Sequence, residues 1–564
     1  MKKIQGSAGT QKAPASRAPT TAPDTLNSKQ FASLQDLLSE GEIEGSATAS
    51  KAGLVKGTPA YNNAFLKDIF LDDTPILQDT ASNTNPTDAD FNFKNVEFDV
   101  RFGTSSQQHI VGIESSQSIV SVGVDITKSG GGHVKQITNT NIDAAKVTIT
   151  FPQIQLLKKN GDIKGSEVEI GIQIQYQGGG FNTVITNKIK GRTADAYQKE
   201  YRVSFDRDKI EQGTAFPVDI KVIRLTDDST SSKLVDKFQW STLGLIVDDK
   251  QRYLDCAYTN IRIDSEQFSN IPKRAFRIRG VKVRIPGAGA SNSGTPTVDI
   301  NTGRIVYPTG YIFNGVMGAA TWCSCPSMIL LDLLTTERYG FGTHISDPNL
   351  DLFSFVKASR YANELVSDGD GGLEARFSCN VCLQGSMDAY KLINELSGVM
   401  RSFPIWMNGN VTVTQDAPAD PSYLFSLANV GEGGFSYSGT SLKQRHSVIS
   451  VSYFNMDSRD MDIEVVEDAA AIAKLGFVKK QVKAFACTSR GQAIRLGKAI
   501  LFSEQNESEI VTFTTSLDAG AIVRPGNVIA VNDPVRADRR RSGRINAATT
   551  TTITVDDTTD LDTF

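Results

Sequence analysis

The stretch that decides the reading is residues 374–415, EARFSCNVCLQGSMDAYKLINELSGVMRSFPIWMNGNVTVTQ. Between Met387 and Phe403 the apolar residues Ala389, Leu392, Ile393, Leu396, Val399, Met400 and Phe403 recur at steps of three and four, which places them on one face of a helix. Ser386 is the expected N-cap, with Asp388 in the first turn. Pro404 is the expected stop, because it has no N–H to donate and its ring clashes with the preceding turn. Ile405, Trp406 and Met407 then run into Asn408-Gly409, the pair best suited to the positive φ values of a type I′ turn, and into the alternating residues 410–414. The unit reads as an amphipathic helix beside a β-hairpin. By itself it carries no catalytic chemistry.

Working outward, a chain of 564 residues is too long for one core, and about three to five domains are expected. An apolar fraction of 39%, a charged fraction of 22% and 47 glycines describe a globular, turn-rich, β-leaning protein, not a coiled coil or a disordered one. No run approaches the roughly 18 apolar residues that span a bilayer, and MKKIQGSAGT lacks the apolar core of a secretory signal, so synthesis in the cytoplasm is expected. A net charge of −4 makes no general case for nucleic-acid or membrane binding but leaves room for local basic patches. Six cysteines in this length do not make a disulfide framework, and thiols are expected.

Residues 1–28 form an arm rich in Ala, Pro, Thr and Ser, with the cations Lys2, Lys3, Lys12 and Arg17 and no acid before Asp24. Such a composition buries too little apolar surface to offset its ordering entropy, so the arm is expected to be flexible. SLQDLLSEGEIEG (33–45) reads as a short apolar helix broken at Gly41, and LKDIFLDDTPI (66–76) as two strands joined by a turn at Asp72-Asp73. Strand patterns dominate from 93 to 227. The clearest is Val168, Ile170, Ile172, Ile174 and Tyr176 alternating with polar neighbours, and glycine turns at 130–132 and 178–180 complete the picture of an antiparallel sandwich or barrel. Cys325-Pro326 opens a second helix, a third runs near 352–366, and Ser489-Arg490-Gly491-Gln492 has the form of a capping box opening a helix to about Asn506. The fold class is therefore α+β and β-rich, with several domains: antiparallel sandwiches or barrels and a few packed amphipathic helices.

RAFRIRGVKVRI (274–285) alternates apolar and basic residues with a change of phase at Gly280. A bulge there would put Arg277, Arg279, Lys282 and Arg284 on one outward face, either simply solvated or turned toward an acidic partner or nucleic acid. Cys323 with Cys325 and Cys379 with Cys382 are the constellation nearest to metal-ligand spacing, but the first loop is short and the pairs lie far apart, so buried thiols are expected and no metal. His109, His133, His344 and His446 fall in no nucleophile motif. Asp368 and Asp370 lie in SDGDGG, which reads as a turn and lacks the full oxygen ladder of a calcium loop. No phosphate-binding loop or dinucleotide fingerprint is present, and neither a catalytic set nor a cofactor is expected.

Six collinear blocks carry a resemblance: DLLSEGEIEG (36–45) with IFLDDTPI (69–76); CPSMILLDLLTTERYGFG (325–342); FSCNVCLQGSMDAYKLINELSGVMRSFPIWMNGNVTVTQDAPADP (377–421); ANVGEGGFSYSGTSLKQRHSVISVSY (428–453); VEDAAAIAKLG (466–476); and the long block 484–534 that opens AFACTSRGQAIRLGKAI. Together they resemble the lambda-type protein J family, the tail-tip host-specificity proteins of siphophages. The resemblance implies a homotrimeric hub that caps the distal end of a long non-contractile tail tube, organises tail-tip assembly and couples receptor engagement to tube opening and DNA ejection. Implied partners are other tail-tip and distal tail proteins, the C-terminal end of the tape-measure protein and a separate receptor-binding or fibre protein, with DNA only as passing cargo and no membrane segment.

The same resemblance divides the chain into a first hub part (29–105), an inserted β-sandwich (106–231), a return part (232–320), an α/β domain with the helix–hairpin unit (321–440) and a second α/β domain (441–564) that reads as truncated. In such a hub the basic face would line the lumen or meet a partner. The rival readings are a tail-associated envelope-degrading enzyme and a free-standing adhesin.

Overall fold

A computed structural model describes residues 20–26, 31–264, 267–268, 270–385, 387–407, 409–439, 441, 444–537 and 544–555. The chain divides into two compact units, Met1–Arg279 and Gly280–Phe564.

In the first unit Phe31–Glu40 pairs with Cys256–Asp264, which pairs on its other side with Glu97–Phe102, all antiparallel. Residues 33–40, expected as a helix, are thus a strand. Exposure alternates residue by residue from Phe31, turning Ala32 and Leu34 inward, and the register slips between Leu37 and Ser39. Leu34 and Leu38 keep the period of two, and it is Leu37, 64% exposed on the opposite side of the strand, that gives the sequence its helix-like spacing of three and four. Ile69–Leu71 and Thr74–Pro75 form the expected hairpin, with both turn residues in the left-handed region, Asp72 at φ 45° and Asp73 at φ 65°.

Phe102 and Ala257 are paired neighbours, and the sandwich grows out between them. One sheet runs Asn182–Gly191, Ser166–Tyr176, Val218–Arg224, His133–Ile137; the other runs Tyr197–Ser204, Ala144–Phe151, Gln239–Asp248, Glu114–Asp125. The alternation read in 168–176 places Val168, Ile170 and Ile172 in the shared core with Val147, Ile149 and Trp240 of the facing sheet. Gln239–Asp248 lies past residue 231, where the sequence reading ended the inserted domain; it belongs to the sandwich because it is hydrogen-bonded to a strand on each side. Part of the expected flexible arm is also laid on this sandwich. Thr21 bridges Ile163, Arg192 pairs with Asp24 at 2.5 Å, and Leu26 packs against the core. Residues 1–19 and 27–28 of the arm lie outside the described residues.

In the second unit Pro326–Thr335 starts with proline at its first position, as read, and buries Met328, Leu331 and Leu334 against Leu352–Ala362 and Ala389–Val399. The last of these helices is capped by Asp388, whose carboxylate accepts the Lys391 N–H at 2.9 Å; the expected cap, Ser386, lies outside the described residues. Pro404 does not stop it. The helix closes at Met400, Arg401 turns at φ 53°, and Pro404 sits in the strand Ser402–Met407 opposite Val413 of Asn410–Gln415. Phe403, expected on the buried face, is 44% exposed on that strand. The hairpin otherwise follows the sequence, with Gly409 at φ 82°, while Asn408 lies outside the described residues.

Leu352–Ala362 ends four residues before 366, and SDGDGG instead turns between Leu365–Ser367 and Leu373–Ala375. A second core packs Val448–Asn455, flanked by Asp460–Glu467 and Lys479–Lys483, against the helix Arg490–Asn506.

Candidate functional site

The basic run was the leading candidate, and its strand is broken into Arg274–Phe276, Ile278–Val281 and Val283–Pro286. Arg277 donates from Nε to Asp68 Oδ1 at 2.7 Å, and Asp68, with no exposed surface, also accepts from Ser46 Oγ at 2.5 Å and from the Thr48 N–H and hydroxyl at 2.7 Å each. A buried carboxylate satisfied in this way is an internal tie. Arg279 is itself buried, at 6% exposure. Lys282 is half-buried. Arg284 forms a bidentate pair with Asp347, both bonds 2.8 Å, and holds that carboxyl below its ordinary range by its hydrogen bonds. Each guanidinium thus has an acid or a buried site that the local alternation does not reveal.

The thiols divide in the same manner. Cys323, Cys325 and Cys379 lie in the helical core, whereas Cys382 is exposed, so the four sulfurs are not brought together as one ligand set. Burial pushes the Cys323 thiol up and Cys379 to about 12, which keeps the protonated form that a metal would have to displace. Among the described residues no group of three or more His, Cys, Asp or Glu has metal-holding geometry.

Two polar assemblies escaped the sequence reading. The first is a bracket between the SDGDGG hairpin and the start of Arg490–Asn506. Glu374 accepts from Ser489 Oγ at 2.5 Å and from Arg495 at 2.6 Å, and Asp370 pairs with Arg490 at 2.7 Å. Gly491 permits the approach, since a Cβ there would lie 2.5 Å from the Asp368 carbonyl oxygen. Ser489 does cap the helix, accepting from the Gln492 N–H at 3.2 Å, but Gln492 does not reach back as a capping box requires; its amide accepts from Ser378 N at 2.9 Å and donates to Ser378 O at 3.1 Å.

The second assembly is the neck of the sandwich. Gln107 Oε1 accepts from Gly103 N at 2.8 Å and Thr104 N at 3.2 Å, while its Nε2 reaches the carbonyls of Arg252, Tyr253 and Cys256 at 3.1, 2.7 and 2.9 Å. One side chain thus joins the outgoing and returning strands. Beside it His109 lies 2.9 Å from Arg207; burial and then the neighbouring guanidinium hold its imidazole below the ordinary value, so it is the neutral acceptor. A lone Gln and a lone His carry no spacing signal, which is why neither could be found from sequence.

These features are internal ties, each made within one of the two units. Residues 116–249 match the family described as tip attachment protein J, FNIII-A domain, and residues 388–548 match a phage tail protein family. The chain is 30% identical over 485 residues to tip attachment protein J of Escherichia phage SECphi27, covering 85% of this chain and 38% of that protein. It is 28% identical over 517 residues to tip attachment protein J of Escherichia phage SECphi4, covering 91% of this chain and 42% of that protein. The chain thus spans about two fifths of the length of these curated relatives. A carbohydrate-binding module from Cel9A of Ruminococcus flavefaciens FD-1 aligns to 24% of the chain and all of that module at 10% identity, but with a TM-score of 0.17 the likeness carries no argument.

Proposed function

Because the chain belongs to the tip attachment protein J family of tailed phages, we propose that it is the structural hub of a long non-contractile tail: a homotrimer that caps the distal end of the tube, organises the tail tip and couples receptor engagement to tube opening and DNA ejection. The observation that carries this reading is collinearity. Similarity to the SECphi4 protein runs through 91% of this chain, across both the inserted sandwich and the helix–hairpin unit, so a whole scaffold is shared and not one borrowed module. Its place is the tail of the virion, and its proposed neighbours are distal tail proteins, the end of the tape-measure protein and a separate receptor-binding or fibre chain.

Cryo-electron microscopy of intact tails tests this. Three copies around the tube end are expected; a position along the tube or another copy number would overturn the hub reading. The rival reading as an envelope-degrading enzyme predicts release of reducing ends from host envelope polysaccharide by the purified chain, and the hub reading predicts none.

A further inference from the structure

The segment 103–113 carries the chain from the strand Glu97–Phe102 into the sandwich, and His109 lies within it, 6% exposed. Its Nε2 stands 2.9 Å from Nη1 of Arg207, the first residue of the short helix Arg207–Glu211. A guanidinium can only donate, so this bond exists only while Nε2 carries no proton. The helix follows the sandwich strand Tyr197–Ser204, and its Ile210 packs against the sandwich core. One imidazole lone pair therefore joins the neck to the domain that the neck carries.

The charges acting on the ring are of one sign. Arg101, on the strand Glu97–Phe102, donates from Nη2 to the carbonyl oxygen of His109 itself at 2.8 Å. Lys250 and Arg252, on the segment that follows Gln239–Asp248, bear on the ring in the same sense as Arg207 and Arg101. The acids beside these cations are already engaged, Asp99 with Arg101 at 2.8 Å, Glu211 with Arg207 at 3.2 Å and Asp143 with Lys250 at 2.8 Å. Asp249 accepts from the Gln251 N–H at 2.9 Å and from the Tyr253 hydroxyl at 3.3 Å. On the helix, Asp206 is the cap and accepts from the Asp208 N–H, while Lys209 lies over the Tyr176 ring. Tyr258, on Cys256–Asp264, accepts from the Ile110 N–H, and burial holds its phenol above the ordinary value, so it stays neutral. A proton on His109 would add a positive charge among four others and set two donors face to face.

Burial first, and then these cations, hold His109 below its ordinary 6.5. The folded chain resists a proton that the unfolded chain accepts, so the stabilisation from the contact is complete above 6.5 and is lost as pH falls below it. Gln107, which ties the outgoing and returning strands, does not titrate.

We propose that His109 and Arg207 form a latch released by acid. At neutral pH it holds the sandwich against its neck through the helix Arg207–Glu211; on acidification His109 takes up a proton, the Arg207 guanidinium is expelled and that end of the sandwich comes free, while Gln107 keeps the neck strands joined. The latch does not depend on the tail-tip reading.

Nuclear magnetic resonance of the full chain tests it. The ring carbons of the 4 histidines report the titration of His109, and the Ile210 methyl reports on the helix. As pH is lowered from about 7.5 to about 5, the Ile210 methyl should move with the midpoint of His109, below 6.5, to the position that it holds at every pH in an Arg207→Ala variant. In His109→Gln, whose amide oxygen accepts from Arg207 without titrating, the Ile210 methyl should keep its neutral-pH position throughout. The methyls of Ile149 and Ile172 in the sandwich core should be unchanged in all three chains as proof of folding. An Ile210 methyl that ignores the titration of His109, or that moves equally in His109→Gln, would overturn the latch, as would a His109 midpoint at or above 6.5.

Discussion

Asp68 and Arg277 stand 209 positions apart in sequence, yet a single hydrogen bond of 2.7 Å makes each intelligible. Replacing Arg277 by Glu would face a fully buried carboxylate with a like charge. Because the Arg277 side chain is 39% exposed, solvent moderates the cost, and we expect a loss of about 2–4 kcal/mol in denaturant unfolding of the first unit. Free tolerance of that substitution would show that Asp68 is carried by Ser46 and Thr48 alone. Asp228 offers a test by titration. The N–H groups of Ser129 and Lys128 hold its carboxyl down to about 2 from an ordinary 3.8. A depressed folded pKa means that its contribution is complete above 3.8 and lost as pH falls toward 2. Carboxyl-carbon NMR should find its midpoint near 2, and a midpoint near 4 would mean that the turn at 130–132 is not held this way. At this scale the cations were visible in the sequence but their acids were not. Alternation within 274–285 says which side chains share a side of an unbroken strand, and nothing about an Asp 209 or 63 positions away.

Among elements, those with their own period could be read and those shaped by a neighbour could not. The sandwich strand Ser166–Tyr176 obeys a period of two because one face is core and the other water. Phe31–Glu40 carries Leu37 on its exposed side, and only its pairing with Cys256–Asp264 identifies it. The helix Ala389–Val399 was legible through Leu392 and Leu396, yet its end was misplaced because Pro404 also suits the exposed hairpin strand that follows. The two halves of that stretch should therefore respond differently. Leu396→Ala, at a residue 1% exposed, should cost about 2–5 kcal/mol in thermal or chemical unfolding of the second unit. Phe403→Thr, on the strand, should cost within about 1 kcal/mol. Equal penalties would restore Phe403 to the buried face.

For the whole molecule, the sandwich has a core drawn from its own two sheets and from the segments that join them, such as Ile126, Ile142, Phe205 and Phe238, with Leu26 packed against it. Residues 114–248 expressed alone should fold and melt cooperatively, as differential scanning calorimetry can show; an aggregated or non-cooperative product would mean that the neck is part of the fold. The presence of an inserted sandwich was readable from strand density, but its far limit was not, since Gln239–Asp248 follows a charged loop that resembles a boundary and only ladder pairing assigns it.

The neck has a mechanical meaning. Both connections leave from adjacent strands at the same end, where Phe102 faces Ala257. A pull on the sandwich would act across the interstrand hydrogen bonds and open them one pair at a time, like a zipper, the geometry that resists force least. Gln107 stands in front of the first pair and grips both strands. Tension applied to the sandwich would meet that amide before it met the sheet, and Gln107→Ala should lower the rupture force of the first unit in single-molecule pulling while leaving the sandwich itself intact.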